Sequence, residues 1–272
     1  MCIVLGGHGE FLEKYTELFG ELAEHGYAGA SLDWRGQGGS QRQLSDPLKA
    51  HVRDFSEYDE DLSSFLDEVV HPLSAPLPIV IAHSMGAHIL LRALHAKPER
   101  FAAAVMTAPM LQTDTRGFPA WFVRVVCGAH CRAGLGGSWV WGMKQRDPLR
   151  LLFERNLVTS DRNRFARTLA LLREIPDIRL AGPTWGWLEA AYRSMNCMTA
   201  PGFAEAITTP CLLFGAGRDR IVKTEAVRDF AHRLPRGTYF EIAEAKHEIL
   251  MENDAVRATF WSAFDAFVAA FT

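Results

Sequence analysis

Apolar residues in the first hundred positions fall into short runs separated by segments with helical spacing. Ile3–Leu5 is a buried-strand run that ends in Gly6-Gly7. From Phe11 to His25, Leu12, Tyr15, Leu18, Phe19 and Leu22 recur at helical intervals. Tyr27–Leu32 reads as a second strand, and Tyr58–Val70 as a second helix with Leu62, Phe65, Leu66 and Val69 on one face. Leu77–Ile81 predicts a third strand, Met85–Ala96 a third helix and Phe101–Met106 a fourth strand. Strands that alternate with helix-length patterns imply βαβ units and a parallel sheet.

The rhythm breaks after Pro109. From there to about Thr208 the pattern is helical, rich in Trp and Arg, without a clear strand. It resumes with strand Cys211–Phe214, helix Thr224–Leu234, strand Tyr239–Ile242 and a closing helix Val256–Phe271. A sheet interrupted by a helical block predicts an α/β core, mostly parallel and flanked by helices, with an inserted helical cap. The expected division is core over 1–110, cap over 111–206 and core again over 207–272.

Composition changes this picture little. A chain of 272 residues that is 48% hydrophobic and 22% charged fits one large soluble domain or a core with a lid. The net charge of −3, with no basic tail or arm, gives no case for nucleic acid. Five scattered cysteines, an odd number, suit a reducing compartment better than a disulfide framework. No basic segment precedes the first apolar run, and no apolar stretch reaches the ~18 residues of a membrane span. The expectation is a cytoplasmic protein.

Chemistry enters at Ile79-Val80-Ile81-Ala82-His83-Ser84-Met85-Gly86-Ala87, a strand, a sharp turn and a helix start. It matches the nucleophile elbow G-x-S-x-G of the α/β-hydrolases, with Ala82 in the first glycine position. A serine hydroxyl needs a base, and the base needs an acid to hold its tautomer. His247 follows the last strand and Asp219 follows the strand Cys211–Phe214, both in loops at the sheet edge that carries the elbow. The order Ser84, Asp219, His247 fits the fold's chain order. His83 is expected to point away from Ser84, and His88 and His95 lie along the next helix. The oxyanion donors expected are the backbone N–H groups of Met85 and His8, the latter in the loop Gly6-Gly7-His8-Gly9-Glu10. Hydroxyl, imidazole and amide donors fill every role, so no cofactor or metal is expected. Cys127, His130 and Cys131 lack a fourth ligand nearby, and Gly128–Gly137 reads as a loop. Dehalogenase and epoxide-hydrolase chemistry needs an Asp where Ser84 stands, and a non-catalytic binding protein would have no need of all three residues.

These segments resemble the lysophospholipase and monoacylglycerol lipase branch of the α/β-hydrolases. Gly6-Gly7-His8-Gly9-Glu10 is similar to its H-G-x-G-E loop, with Gly6 in place of the histidine. Asp33-Trp34-Arg35-Gly36-Gln37-Gly38-Gly39-Ser40 resembles its D-x-R-G-x-G-x-S segment, and Tyr58-Asp59-Glu60-Asp61-Leu62 its Y-x-x-D-L. The resemblance implies supporting roles for Gly7, Gly9, Glu10 and Arg35, the last bracing loops beside the site. It covers Cys2–Met110 and Ile207–Phe271, and in the cap rests on Gly182–Trp187. Members carry a β-hairpin before the first strand seen here. A shortened start is therefore expected, since loss of the hairpin leaves Tyr27–Leu32 an exposed edge.

The resemblance implies a carboxylic ester of a lysophospholipid or monoacylglycerol, cleaved through an acyl-enzyme. A carboxylesterase or thioesterase acting on a soluble acyl ester is the alternative. Five of the seven tryptophans lie in the cap, which suits an acyl chain. The span 109–208 carries 13 basic residues against 8 acidic ones, and the remainder 16 against 24. A basic lid suits anionic headgroups and transient contact with a membrane surface, peripheral at the inner face.

Overall fold

The computed structural model describes residues 1–74, 76–115, 117–143 and 147–270. Phe271, the last residue of the expected closing helix, lies outside them. The main sheet is built from β1 (Cys2–Leu5), β2 (Gly29–Leu32), β4 (Ile79–His83), β5 (Ala103–Thr107), β7 (Cys211–Ala216) and β8 (Gly237–Ile242). Their spatial order is β2-β1-β4-β5-β7-β8, and every adjacent pair is parallel. Two short strands, β3 (Lys49–Ala50) and β6 (Gly182–Pro183), pair separately.

Strand residues alternate between two cores, as the two-residue period of a strand requires. Ile3, Leu5, Val80, Ala82, Ala104 and Met106 enter one apolar cluster. Cys2, Val4, Ile79, Ile81, Ala103 and Val105 enter the other. The first cluster is closed by α2 (Ser56–Phe65), α4 (Ser84–Ala96) and α8 (Thr224–Arg233), the second by α1 (Thr16–Glu24) and α9 (Asp254–Val268). Burial on both faces explains why β1, β4, β5 and β7 read as unbroken apolar runs.

Between β5 and β7 the chain passes through α5 (Ala120–Arg132), α6 (Arg162–Glu174), β6 and α7 (Trp185–Met198). Two expectations fail locally. Gly128–Gly137 is not all loop: α5 continues through Arg132, because Gly128 weakens a helix without ending it and no proline follows before Gly134. In the second helix, Val70 is fully buried and Val69 is 40% exposed. A π turn over Leu66–Val70, before the short α3 (His71–Leu73), adds one residue to the turn and moves the apolar face from position 69 to 70. No helix among the described residues is long and apolar enough to cross a membrane.

Candidate active site

Four loops at the carboxyl ends of β1, β4, β7 and β8 meet over the sheet, the edge at which parallel α/β sheets place ligands. Ser84 begins α4 directly after β4, with φ at +50°. Only a well-determined turn holds a non-glycine residue there. The turn places Met85 in the first turn of α4, where its N–H has no intrahelical acceptor.

His247 links the other two loops. Its Nδ1 lies 2.6 Å from Asp219 Oδ2, and its Nε2 lies 3.0 Å from Ser84 Oγ. Asp219 Oδ1 accepts the N–H groups of Ile221 at 2.7 Å and Val222 at 3.0 Å, so both carboxylate oxygens are engaged. An ionised Asp219 can only accept, which puts the proton of a neutral His247 on Nδ1 and leaves Nε2 free to accept from the serine hydroxyl. Burial opposes the charge on Asp219, but hydrogen bonds and charge from His247, with the two backbone donors, hold its pKa below the ordinary value. All three side chains are buried.

The loop after β1 is held from several directions. Gly7 N–H donates to the Glu10 carboxylate. The Trp34 indole N–H donates to Gly6 O at 2.8 Å, and Gly9 N–H to Gln37 Oε1 at 2.6 Å. With Gly7 and Gly9 occupied, the N–H of His8 is left without an acceptor among the described residues. A Cβ on Gly7 would lie 3.2 Å from that of Ser84 and 3.0 Å from the His83 ring, so this loop sits directly on the elbow. The His8 ring packs edge-on against Trp187 of α7, with centroids 4.4 Å apart. Two buried side-chain nitrogens on these segments, His8 Nε2 and Gln37 Nε2, have no protein partner.

The remaining candidates do not join the line from Ser84 through His247 to Asp219, although the His83 ring packs edge-on against that of His247 with centroids 4.8 Å apart. His83 directs Nδ1 toward Thr107, 3.0 Å from its hydroxyl, and burial pushes its pKa down to about 4. Arg35 reaches Asp61 at 2.6 Å and Glu57 at 3.2 Å, which ties to α2 the same loop whose Trp34 and Gln37 hold the loop after β1. Cys127, His130 and Cys131 lie along α5, where His130 stacks on Trp185. No group of three or more metal-ligating side chains occurs among the described residues. Sequence reasoning passed over Lys14, Tyr15, Trp34, Gln37 and Glu248. Trp34 and Gln37 stand in the Asp33–Ser40 segment quoted above, and Glu248 adjoins His247, but nothing local marks what they touch.

The tryptophans of the helical block divide by burial. Trp185 and Trp187 are buried, whereas Trp121 and Trp141 stand 66% and 72% exposed. A cavity of about 350 Å³ at α5, α7 and α8 is lined instead by Leu111, Tyr192, Met195, Met198 and Phe230 among others. Ser84 does not line it, but the cavity begins one residue past Met110, whose N–H donates to Ser84 O at 3.0 Å.

A family model described as "Serine aminopeptidase, S33" (Hydrolase_4) matches residues 1–254. Lysophospholipase L2 of Escherichia coli (strain K12) is 32% identical over 268 residues, covering 95% of this chain and 77% of that protein. Among solved structures, the monoacylglycerol lipase of Paleococcus ferrophilus superposes with a TM-score of 0.74 at 20% identity, over 98% of this chain and 93% of that one. A thermostable carboxyl esterase from Bacillus coagulans gives a TM-score of 0.77 at 16% identity, over 99% and 89%. At such identities the two structural likenesses speak to the fold alone.

Proposed function

The chain belongs to the Hydrolase_4 family and has the α/β-hydrolase fold, and from that premise we propose that it is a serine hydrolase of lipid carboxylic esters. One observation carries the reading: His247 spans from Asp219 to Ser84, at 2.6 Å and 3.0 Å, across three separate loops. Ser84 Oγ attacks the acyl carbon while His247 Nε2 takes its proton, and Asp219 stabilises the resulting imidazolium. The N–H groups of Met85 and His8 receive the oxyanion. Collapse expels the alcohol, which leaves with the proton from His247, and water then attacks the acyl-enzyme by the same route.

The lysophospholipase relative directs the substrate choice to a lysophospholipid, and the motif resemblance of the loops adds a monoacylglycerol. We assign the acyl chain to the cavity beside Leu111, where Leu111, Met195, Met198 and Phe230 suit hydrocarbon and Arg124, Glu225, Asp229 and Arg233 add charge to the lining. Residues 111–206 then act as the cap. On its surface Phe118, just before α5, and Trp121, Phe122 and Val125, in its first turns, are exposed near Arg124, and Arg132 is exposed at the far end of the same helix. That mixture suits contact with an anionic phospholipid surface, where aromatic rings and cations both gain.

The test is kcat/KM over a p-nitrophenyl ester series, followed by lysophospholipids and monoacylglycerols below their micellar concentrations. Each buried methylene contributes ~0.8 kcal/mol, about fourfold in binding, so values should climb from four to eight carbons. A maximum at acetate or propionate would transfer the assignment to a soluble-ester carboxylesterase. Co-sedimentation with anionic vesicles should weaken in Trp121→Ser/Phe122→Ser, and equal binding by this double variant removes the membrane contact.

A further inference from the structure

Beneath the loop after β1 lies a cluster of charged groups that the proposed reaction does not use. Lys14 is 8% exposed, yet its Nζ lies 2.6 Å from Glu10 Oε1 and 2.7 Å from Glu248 Oε1. Glu10 Oε2 accepts the Gly7 N–H and, at 2.5 Å, the Tyr15 hydroxyl. Glu248 follows His247 directly, and its own N–H donates to Val158 O at 2.8 Å. One ammonium therefore joins the loop expected to hold the oxyanion to the loop that carries the histidine.

Burying one cation between two carboxylates is costly, and such a cluster is weak grounds for stability. Its geometry suits another purpose. Burial opposes ionisation of Glu10, but the Lys14 charge, His83 and hydrogen bonds from Lys14 and Tyr15 hold its pKa well below the carboxylate range. An ionised Glu10 is acceptor-only on both oxygens, which suits a Gly7 N–H on one side and an ammonium on the other. Claiming the Gly7 N–H fixes the Gly6–Gly7 peptide plane, and the Gly7 carbonyl accepts the Glu10 N–H at 3.4 Å, which holds the next plane, the one that carries the His8 N–H.

We propose that Lys14 is a positioning residue that, with Glu10 and Glu248, sets the oxyanion loop in register with His247. This rests on the serine-hydrolase reading above. The cluster touches no reacting atom. It acts through the His8 amide and the His247 ring, whose mutual placement decides how well the transition state is met. Misalignment of one oxyanion donor is the expected defect, and loss of such a donor costs about 10²–10³ in kcat.

The experiment compares Lys14→Met and Glu10→Gln with the wild type on one ester, together with thermal unfolding of each. Gln at position 10 keeps the shape but turns an NH₂ toward either Lys14 or the Gly7 N–H, so one contact must fail. Both variants should lose about 10²-fold in kcat with KM within threefold, because ground-state binding does not use the oxyanion contact. Lys14→Arg should recover part of the loss. Folded variants that keep kcat within threefold of wild type overturn the proposal. So does a lowered melting temperature in both with kcat per folded molecule unchanged, which makes the cluster purely structural. If Lys14→Met alone fails to fold, Glu10→Gln decides. A wild type without esterase activity, or with activity that survives Ser84→Ala, instead overturns the serine-hydrolase reading.

Discussion

A Cβ added to Gly86 would stand 2.5 Å from the carbonyl oxygen of Gly6, so the start of helix α4 is pressed against the end of strand β1. Leu5 O is equally close. The obstacle is backbone on both counts and cannot swing aside. Gly86→Ala should therefore push the loop Gly6–Glu10 away from Ser84, costing about 1–3 kcal/mol in stability by overpacking. Turnover should fall by about 10²-fold, since a displacement near 1 Å at a catalytic group has that effect. Parallel urea unfolding and esterase assays test both parts, and a Gly86→Ala protein as active as wild type would show that the contact relaxes freely.

Ser84 sits at φ +50°, where a side chain costs backbone energy that glycine does not. Ser84→Ala should abolish hydrolysis without loss of fold. Ser84→Gly should also be inactive but more stable than Ser84→Ala by up to about 1 kcal/mol. Calorimetry on the pair makes the comparison. A lower melting temperature for the glycine variant would mean that the elbow carries no such strain.

Asp219→Asn should lower kcat by ~10⁴, because an amide can donate to His247 and favour the wrong tautomer. Asp229→Asn, on α8, and Asp254→Asn, at the start of α9, should cost far less. Near-wild-type turnover by Asp219→Asn would force the orienting role onto another carboxylate.

Stability should decline in acid through buried histidines. Burial pushes His83 down to about 4 and His88 down to about 3. His88 is fully buried, with Nδ1 2.7 Å from Met110 O and Nε2 2.7 Å from the Ser194 hydroxyl. Their folded pKa values lie below the unfolded value of about 6.5, so the unfolded chain binds more protons in this range. The stability they contribute is complete above about pH 6.5 and is lost as pH falls toward 4. Asp219, also depressed, adds a loss below the ordinary carboxylate range near 4. Melting temperatures at pH 7.5, 6 and 5 should fall in that order, and His88→Gln, which keeps one donor and one acceptor but does not titrate, should flatten the trend. An unchanged slope in His88→Gln would remove this histidine from the explanation.

Dialysis against a strong chelator should leave hydrolysis unchanged, because the proposed chemistry uses only hydroxyl, imidazole and amide groups. A loss of activity restored by zinc would count against it and direct attention to Cys127, His130 and Cys131.

What the chain alone determined is what neighbours in sequence determine. A run such as Ile79–Ile81 before His83-Ser84-Met85-Gly86 specifies a strand, a turn and a helix start through local sterics. The order of Ser84, Asp219 and His247 after successive strands followed because a parallel sheet gathers its carboxyl ends at one edge. The tertiary structure decided whatever depends on distant partners or on one extra residue in a turn. Val69 and Val70 are the same residue type, and only the π turn determines which is buried. Trp121 and Trp187 have the same hydrophobicity, yet packing leaves the first in solvent and sets the second against His8. Lys14 and Glu10 are only four residues apart, so the chain itself keeps them near each other. Glu248, which completes their cluster, lies near the other end of the chain, and only folding brings its charge within 2.7 Å of Lys14.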